Sequence, residues 1–154
     1  MATWMMMELI QDQEAFKMVR EELKGTLATD PETGLPCLDP QKVIALPILQ
    51  SVYTETLRMH MSMNVTREVL EPTLFEGYVL EKGAIVQGPT EVIHYDEKHW
   101  GTEGHPASEF WALRHIKWAE GKEEGGEATK VPQFTMAGRA AEFIPYGTYS
   151  GLLT

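Results

Sequence analysis

Cysteine is almost absent from this sequence: Cys37 is the only one in 154 residues. A single thiol excludes a disulfide within the chain. Cys37 lies in residues 26–39, where Pro, Gly and Asp are frequent, as is typical of a surface loop. No His or Arg stands close to it in sequence to stabilise a thiolate. We therefore interpret Cys37 as a bystander rather than as a nucleophile or a metal ligand.

Basic residues and long apolar runs are scarce as well. Lys and Arg number 13 against 23 Asp and Glu, which gives a net charge of −10. Because a nucleic-acid surface needs clustered Lys and Arg, and no basic stripe occurs, the sequence argues against a nucleic-acid partner. No run of about 18 apolar residues is present, so no membrane span is predicted. Residues 1–10 are apolar but lack the basic start and cleavage site of a signal peptide.

Apolar periodicity is what the sequence does contain, in three helical segments. The length of 154 residues, with 43% hydrophobic and 23% charged residues, is typical of one globular domain. We predict helices near residues 2–11, 13–24 and 46–61. The first is apolar nearly all round, which predicts burial on several sides. The third begins at Pro47 and repeats apolar residues every three or four positions, which predicts one buried face.

After residue 63 the apolar period changes to two. This alternation predicts three short strands, at residues 65–70, 74–80 and 84–87. A tight turn at residues 81–83 joins the last two. The predicted fold class is therefore mainly α with a small antiparallel β meander at residues 64–88. The remainder is expected to be loop-rich, with a flexible, glycine-rich acidic loop at residues 119–130.

Glu55 and Arg58 in the third helix are three residues apart, so their side chains are neighbours on one face. From the residues alone, two interpretations stay open. An exposed ion pair contributes only about 0.3–0.5 kcal/mol, whereas a buried pair needs a third charged partner to satisfy its remaining oxygens and N–H groups. Arg114 lies inside an aromatic segment at residues 110–116, so we expect its stem to pack and its guanidinium to seek a carboxylate.

A cluster of polar residues between 94 and 105 raises the possibility of a metal site. Its members are His94, Asp96, His99 and His105. His94 and His99 are five residues apart, which does not place both on one helical face, and no compact zinc signature is matched. We therefore predict no metal site and interpret the segment as a solvated loop with turn-forming Asp and Gly.

Several motifs follow one another in a fixed order along nearly the whole chain. They are E-x-x-R at Glu55 and Arg58, then Arg67, Gly77-Tyr78, Glu81-Lys82-Gly83, His94-x-Asp96, Trp100, F-W-A-x-R at residues 110–114 and F-I-P-Y-G at residues 143–147. This order resembles the C-terminal part of a cytochrome P450, a haem-thiolate monooxygenase. The nearest likeness is to the fungal and other eukaryotic branch that is similar to sterol 7-alpha-hydroxylases and prostacyclin synthase. The fold implied is a partial cytochrome P450 fold: the end of the central helix, the next helix, the E-x-x-R helix, β hairpins and the meander.

The resemblance implies roles for particular residues. In the family the E-x-x-R pair is buried, and here Arg114 would complete it, so that two guanidinium groups surround the Glu55 carboxylate. Arg67 would reach a haem propionate. The family's cofactor is haem, and its reaction hydroxylates or epoxidises an apolar small molecule with O₂ and electrons from an NADPH-dependent reductase, often in secondary metabolism. Members of this branch are anchored in the endoplasmic-reticulum membrane.

One departure from the family pattern concerns the haem ligand. Gly151 stands where the resemblance expects the axial cysteine, and no cysteine follows Cys37. Tyr149 is the alternative ligand in the same tail, because tyrosine ligates haem in other enzymes. The resemblance also implies that residues 1–154 are a partial domain, truncated at both ends, without the oxygen-activating segment and catalytically incompetent. The alternative is a non-catalytic binding or regulatory module built on the same scaffold.

Overall fold

The computed structural model describes residues 1–121 and 130–146. The helices within these ranges are α1 (Ala2–Gln11), α2 (Gln13–Lys24), α3 (Pro40–Val43), α4 (Pro47–His60), α5 (Thr90–His94) and α6 (Glu97–Trp100). The strands are β1 (Leu27–Thr29), β2 (Pro36–Leu38), β3 (Asn64–Glu68), β4 (Thr73–Phe75), β5 (Tyr78–Leu80), β6 (Ile85–Pro89), β7 (Ile116–Glu120) and β8 (Lys130–Phe134). They form separate two-stranded antiparallel sheets. The predicted class, mainly helical with small antiparallel sheets, is confirmed.

The three long helices begin and end within one residue of the prediction, because local signals set their ends. The side chain of Asp12 accepts a hydrogen bond from the first turn of α2 at 2.9 Å. Pro47 stands in the first turn of α4, where its missing N–H costs nothing. The free N–H groups of Ile48 and Leu49 donate to the carboxylate of Glu22 in α2, each at 3.0 Å. Glu22 therefore caps a helix other than its own.

α4 lies at the centre of the fold, in contact with α1, α2, α5 and both strands of the β7–β8 sheet. Its buried face joins a hydrophobic core whose fully buried members are Leu9, Ala15, Val19, Ile48, Val52 and Ala112. Because α4 also carries Glu55 and Arg58 on its buried surface, the same helix positions both the core and the charged cluster described below.

α1 is less buried than its sequence predicts. Leu9 is the one fully buried residue of this helix, whereas Trp4, Met7 and Ile10 are 45%, 44% and 61% exposed. In the described residues α1 contacts α2 and α4, and these contacts leave much of its apolar surface exposed. The burial on several sides that the sequence predicts is therefore not supplied by the described part of the chain. No helix in residues 1–121 and 130–146 is both long and apolar enough to cross a membrane.

The strands after α4 pair differently from a simple meander. β3 pairs antiparallel with β6, and the residues between them fold back as the β4–β5 hairpin. The turn of that hairpin, Glu76 and Gly77, has φ of 48° and 85°, as a two-residue hairpin turn requires. The single strand predicted at residues 74–80 is therefore wrong, because this turn divides it into two. The turn predicted at residues 81–83 is present, with Gly83 at φ 84°.

Two further hairpins lie in segments that were predicted to be loops. β1–β2 occupies part of residues 26–39, and Cys37 in β2 lies opposite Ala28. β7–β8 flanks the predicted flexible loop, of which residues 122–129 lie outside the described residues. These strands gain their order from pairing with a distant partner or from packing against α4, and neither factor is visible in a local pattern.

Candidate functional site

The candidate site is built around the carboxylate of Glu55 on α4. The side chains of Glu55 and Arg58 are both 0% exposed. Arg58 donates from Nε to Glu55 Oε2 at 2.9 Å and from Nη2 to Oε1 at 2.8 Å. Two parallel bonds of this kind are the strongest geometry for an arginine–carboxylate pair. Of the two interpretations that the spacing left open, the structure therefore has the buried pair.

Arg114 reaches the same carboxylate from the turn before β7, 59 residues further along the chain. Its Nε donates to Glu55 Oε1 at 2.7 Å, and the backbone N–H of Trp111 donates to the same oxygen at 3.2 Å. The Arg114 side chain is also 0% exposed. The structure thus brings together Glu55, Arg58 and Arg114, with two guanidinium groups on one carboxylate.

The electrostatics of this ion cluster keep Glu55 charged. Burial raises the pKa of Glu55, but the hydrogen bonds from Arg58, the contact with His115 and the charges of Arg58 and Arg114 outweigh burial and lower the pKa to about 2. At neutral pH the carboxylate is therefore ionised and remains paired. A buried charge that is satisfied by this many donors is held in one geometry.

Both guanidinium groups also bind backbone carbonyl oxygens, which offset the positive charge that one carboxylate leaves uncompensated. Arg58 Nη1 donates to the carbonyls of His94 and Ala107 at 2.6 and 2.7 Å. Arg114 donates to the carbonyls of Trp100, His105, Pro106 and Glu109. These carbonyls all lie between the end of α5 and the turn before β7. The ion cluster therefore fastens that segment to α4.

Two residues beside the ion cluster were not predicted from the sequence. His115 is fully buried, and its Nε2 lies 3.3 Å from Glu55 Oε2, although the angle is poor for a hydrogen bond. Burial lowers the pKa of His115, against the attraction of Glu55. Arg139 donates from Nη1 to the Arg114 carbonyl at 2.8 Å and from Nε to the His99 carbonyl at 3.2 Å. For His115, the available signal was its position directly after Arg114.

Arg67, to which the resemblance assigns a haem propionate, lies in β3 opposite Val86. Its side chain is exposed, and its Nη1 donates to the backbone carbonyl of Thr66 at 2.8 Å. Arg67 is thus on an accessible sheet, outside the buried ion cluster.

Two of the four polar residues considered as metal ligands pair with each other. The interpretation of their segment as a solvated loop is wrong, because the segment contains α6 and the buried His94. His94 is buried, whereas His99 Nδ1 pairs with Asp96 at 2.9 Å and His105 stacks on Trp111 with ring centroids 4.0 Å apart. Across the part of the chain that the structure describes, no three His, Cys, Asp or Glu side chains are grouped to hold a metal ion. Asp96 also accepts from the backbone N–H of Lys98, as the cap of α6.

The segment that resembles the start of the haem loop is described only over residues 143–146. Gly151 and Tyr149, the expected and alternative ligand positions, lie outside the described residues. Cys37, the one thiol of the chain, is placed in β2, in the hairpin between α2 and α3. The chain therefore offers no thiolate in the segment that would have to ligate haem iron, and its donor set does not fit a haem-thiolate centre.

Comparison with known proteins points to one family. The family model described as cytochrome P450 matches residues 2–105. Cytochrome P450 monooxygenase calL of Penicillium decumbens is 50% identical over 147 residues, which cover 96% of this chain and 26% of that protein. Cytochrome P450 monooxygenase poxD of Penicillium oxalicum is 36% identical over 114 residues, 71% of this chain and 21% of that protein. The 2-hydroxyisoflavanone synthase of Glycyrrhiza echinata is 27% identical over 146 residues, 94% of this chain and 25% of that protein.

The extent of these matches limits what they say about activity. The chain spans about a quarter of the length of the curated relatives it matches. None of these three relatives is named a sterol 7-alpha-hydroxylase or a prostacyclin synthase, so the narrower likeness to that branch stays a prediction. The reading of residues 1–154 as a partial domain also stays a prediction.

Proposed function

This chain belongs to the cytochrome P450 family, and on that premise we propose that it forms part of a haem-dependent monooxygenase. The reaction of the whole enzyme would be the O₂- and NADPH-reductase-dependent hydroxylation or epoxidation of an apolar small molecule. The observation that carries the proposal is the Glu55 carboxylate, buried between Arg58 and Arg114. It lies 59 residues from the second guanidinium in sequence, so local helix pairing cannot account for it.

Within this proposal the ion cluster has a structural role. Glu55 has a pKa of about 2 and no exposure to solvent, so it is unsuited to exchanging protons with a substrate. Its contribution is to hold the segment between α5 and β7 against α4. We assign the contact with a haem propionate to Arg67, as the resemblance implies, because this residue is exposed on β3 and a guanidinium can donate two hydrogen bonds to one carboxylate.

We further propose that the 154-residue chain does not catalyse the family reaction by itself. No cysteine occurs after Cys37, and Cys37 lies in the β1–β2 hairpin. The thiolate is what donates electron density for O–O cleavage in this chemistry, so its absence from the loop removes the family's reaction. The reductase and the apolar substrate are accordingly proposed as partners of a whole enzyme and not of this chain alone.

A reduced carbon-monoxide difference spectrum tests the proposal. The chain is expressed with excess haem precursor, and the spectrum is recorded beside that of a complete haem-thiolate monooxygenase. We expect no thiolate-type Soret band from this chain. A thiolate-type band would overturn the claim of incompetence. The variant Cys37→Ser then shows its origin, because loss of the band in that variant would identify Cys37 as the ligand.

A non-catalytic binding or regulatory module is the second candidate, and the lack of a cysteine in residues 38–154 is the observation that favours it. Such a module has to fold without cofactor. Its signature would be a single cooperative thermal transition, monitored by circular dichroism, for a monomer free of haem. A transition that appears only after haem is added would favour the first candidate instead.

A further inference from the structure

His94, at the C-terminal end of α5, is a buried histidine that the ion cluster does not include. It is 0% exposed. Its ring lies edge-on to Trp100, with centroids 6.4 Å apart, and at a shallow angle to Phe143, with centroids 6.0 Å apart. A fully enclosed imidazole needs hydrogen-bond partners for its nitrogens, because an unpaired buried polar group costs free energy. Among the described residues, Nε2 of His94 has a hydrogen-bond partner and Nδ1 has none.

His94 makes polar contacts in two directions. Its backbone carbonyl accepts a hydrogen bond from Arg58 Nη1 at 2.6 Å, which ties it to the ion cluster. Its ring Nε2 lies 3.1 Å from the backbone nitrogen of Ile144. Within the described residues, this is the one hydrogen bond that the backbone of residues 143–146 makes. A single residue therefore links the ion cluster to the 143–146 segment.

The direction of the second bond fixes the protonation state of His94. A backbone N–H can only donate, so Nε2 of His94 has to accept and cannot carry a proton. The ring is then neutral, with its proton on Nδ1. Burial and the nearby charge of Arg58 both lower the pKa of His94, which agrees with a neutral ring at pH 7. The backbone of Met61 and of Arg58 acts in the opposite direction and raises this pKa.

We propose that His94 is a positioning residue that fixes the 143–146 segment to the ion cluster through Nε2 and the Ile144 N–H. The importance of this segment for haem rests on the proposed function, since 143–146 is the start of the loop that resembles the haem loop. The hydrogen bond itself does not depend on haem. Phe143 packs on the same ring, and Tyr146 approaches Tyr53 of α4 only at 3.5 Å between hydroxyl oxygens. The imidazole thus provides the polar anchor of the segment.

Two variants of His94 distinguish the contribution of its hydrogen-bond acceptor from that of its ring shape. His94→Gln keeps an acceptor, because the glutamine Oε1 can take the place of Nε2, whereas His94→Phe keeps a flat ring and removes the acceptor. Amide hydrogen exchange is measured for Ile144, with the Trp111 amide as an internal control, since Trp111 donates to Glu55. We expect His94→Phe to exchange Ile144 about tenfold faster, the effect of one lost hydrogen bond, and His94→Gln to stay close to the wild type. Equal Ile144 exchange in all three proteins, or equal acceleration in both variants, would overturn the proposal.

The wild-type chain supplies a second measurement that does not require either variant to fold. Long-range ¹H–¹⁵N correlation spectra distinguish the two neutral tautomers and the charged form of histidine. We expect the Nδ1–H tautomer for His94 at pH 7. An Nε2–H tautomer or an imidazolium would contradict the proposal. Both measurements are made without haem, so their outcome is independent of the carbon-monoxide spectrum that tests the proposed function.

Discussion

At the residue scale, Glu55 carries one negative charge between two guanidinium groups that are themselves buried. Removing one charge from a buried network leaves the other charges uncompensated. The resulting destabilisation is larger than the net stability that the intact network contributes. The Glu21–Lys24 pair on α2 has the same three-residue spacing, but its side chains are 59% and 57% exposed. Water and salt screen an exposed pair of this kind. Because the two pairs have the same spacing in a helix, a comparison of their contributions to stability isolates the effect of burial.

Glu55→Gln is expected to lower the free energy of unfolding by about 3–5 kcal/mol, because it leaves two buried guanidinium groups without a carboxylate. Urea unfolding followed by tryptophan fluorescence measures the change. Glu21→Gln, the matched control on the exposed pair, should not change the midpoint of urea unfolding. Equal midpoints for the two variants would show that the buried ion cluster does not support the fold.

Some residues of the ion cluster and its surroundings could be predicted from the sequence, and others could not. Glu55 and Arg58 were predicted as neighbours because their spacing is local. Arg114 was connected to them only through the resemblance, since nothing in a sequence relates positions 59 residues apart. His115 and Arg139 were not predicted beside the ion cluster, because the groups they contact come close only after the loops have folded.

At the scale of secondary-structure elements, the start of α4 depends on α2. The Glu22 carboxylate receives the N–H groups of Ile48 and Leu49, a task that a Ser, Thr, Asp or Asn cap usually performs within the helix itself. Burial raises the pKa of Glu22, although these two donors oppose the shift. The cap is therefore also a tertiary contact, and it fixes the position of one helix relative to the other.

Glu22→Gln is expected to lower the free energy of unfolding by about 1 kcal/mol, the usual effect of a weakened helix cap, because an amide replaces a two-oxygen acceptor. Asp12→Ala removes the cap of α2 and provides a reference of similar size. Urea denaturation compares both variants with the wild type. An unchanged midpoint for Glu22→Gln beside a lowered one for Asp12→Ala would rule out a capping role for Glu22.

The β4–β5 turn offers a stabilising change. Glu76 has a φ of 48°, which is unfavourable for glutamate, whereas asparagine tolerates this region and Asn-Gly is the preferred pair for such a turn. Glu76→Asn should therefore raise the free energy of unfolding by about 0.5 kcal/mol. Glu71→Asn, a change of the same type at a residue without positive φ, is the control for altered charge. A thermal melt in which both variants shift equally would refute the turn argument.

The helices could be predicted closely and the strands only in part, for a physical reason. Helix ends are set by capping residues and prolines within one turn, such as Asp12 and Pro47, so the signal is contained in a short window. The pairing of β3 with β6 depends on the turn at Glu76 and Gly77. A glutamate does not predict a turn position with a positive φ, so the sequence did not indicate this turn. β1–β2 was missed because its strands have three residues each.

At the scale of the whole molecule, the buried network makes stability depend on pH. Burial lowers the pKa values of His94 and His115 below the ordinary 6.5, and Glu55 has a pKa of about 2 instead of 4.5. In each case the unfolded chain binds protons more readily than the folded chain. Stability is therefore fully present above the ordinary pKa and is lost as the pH falls through the folded value. Glu22 has the opposite sign, since its pKa is raised.

We expect the free energy of unfolding to fall in two stages on acidification: first below about pH 6.5, as the unfolded histidines take up protons, and again below about pH 4.5, as unfolded Glu55 does. Urea unfolding at a series of pH values measures this profile. His115→Phe should reduce the first stage, whereas the second should persist in weakened form, because Arg58 and Arg114 still lower the pKa of Glu55 when the contact with His115 is gone. A profile that is flat or rises from pH 7 to pH 4 would contradict the assignment.

The separation of the two arginines in sequence has a consequence for synthesis of the protein. Glu55 and Arg58 leave the ribosome together, but the partner guanidinium follows 59 positions after Glu55, and the carbonyls that Arg58 binds come from residues 94–109. Until that later stretch emerges, the charged side of α4 has to remain in water, because burying it unpaired is too costly. We therefore expect a nascent chain to dock this helix only after position 114 has cleared the exit tunnel, so that translation, and not helix formation, sets the time at which the interior closes.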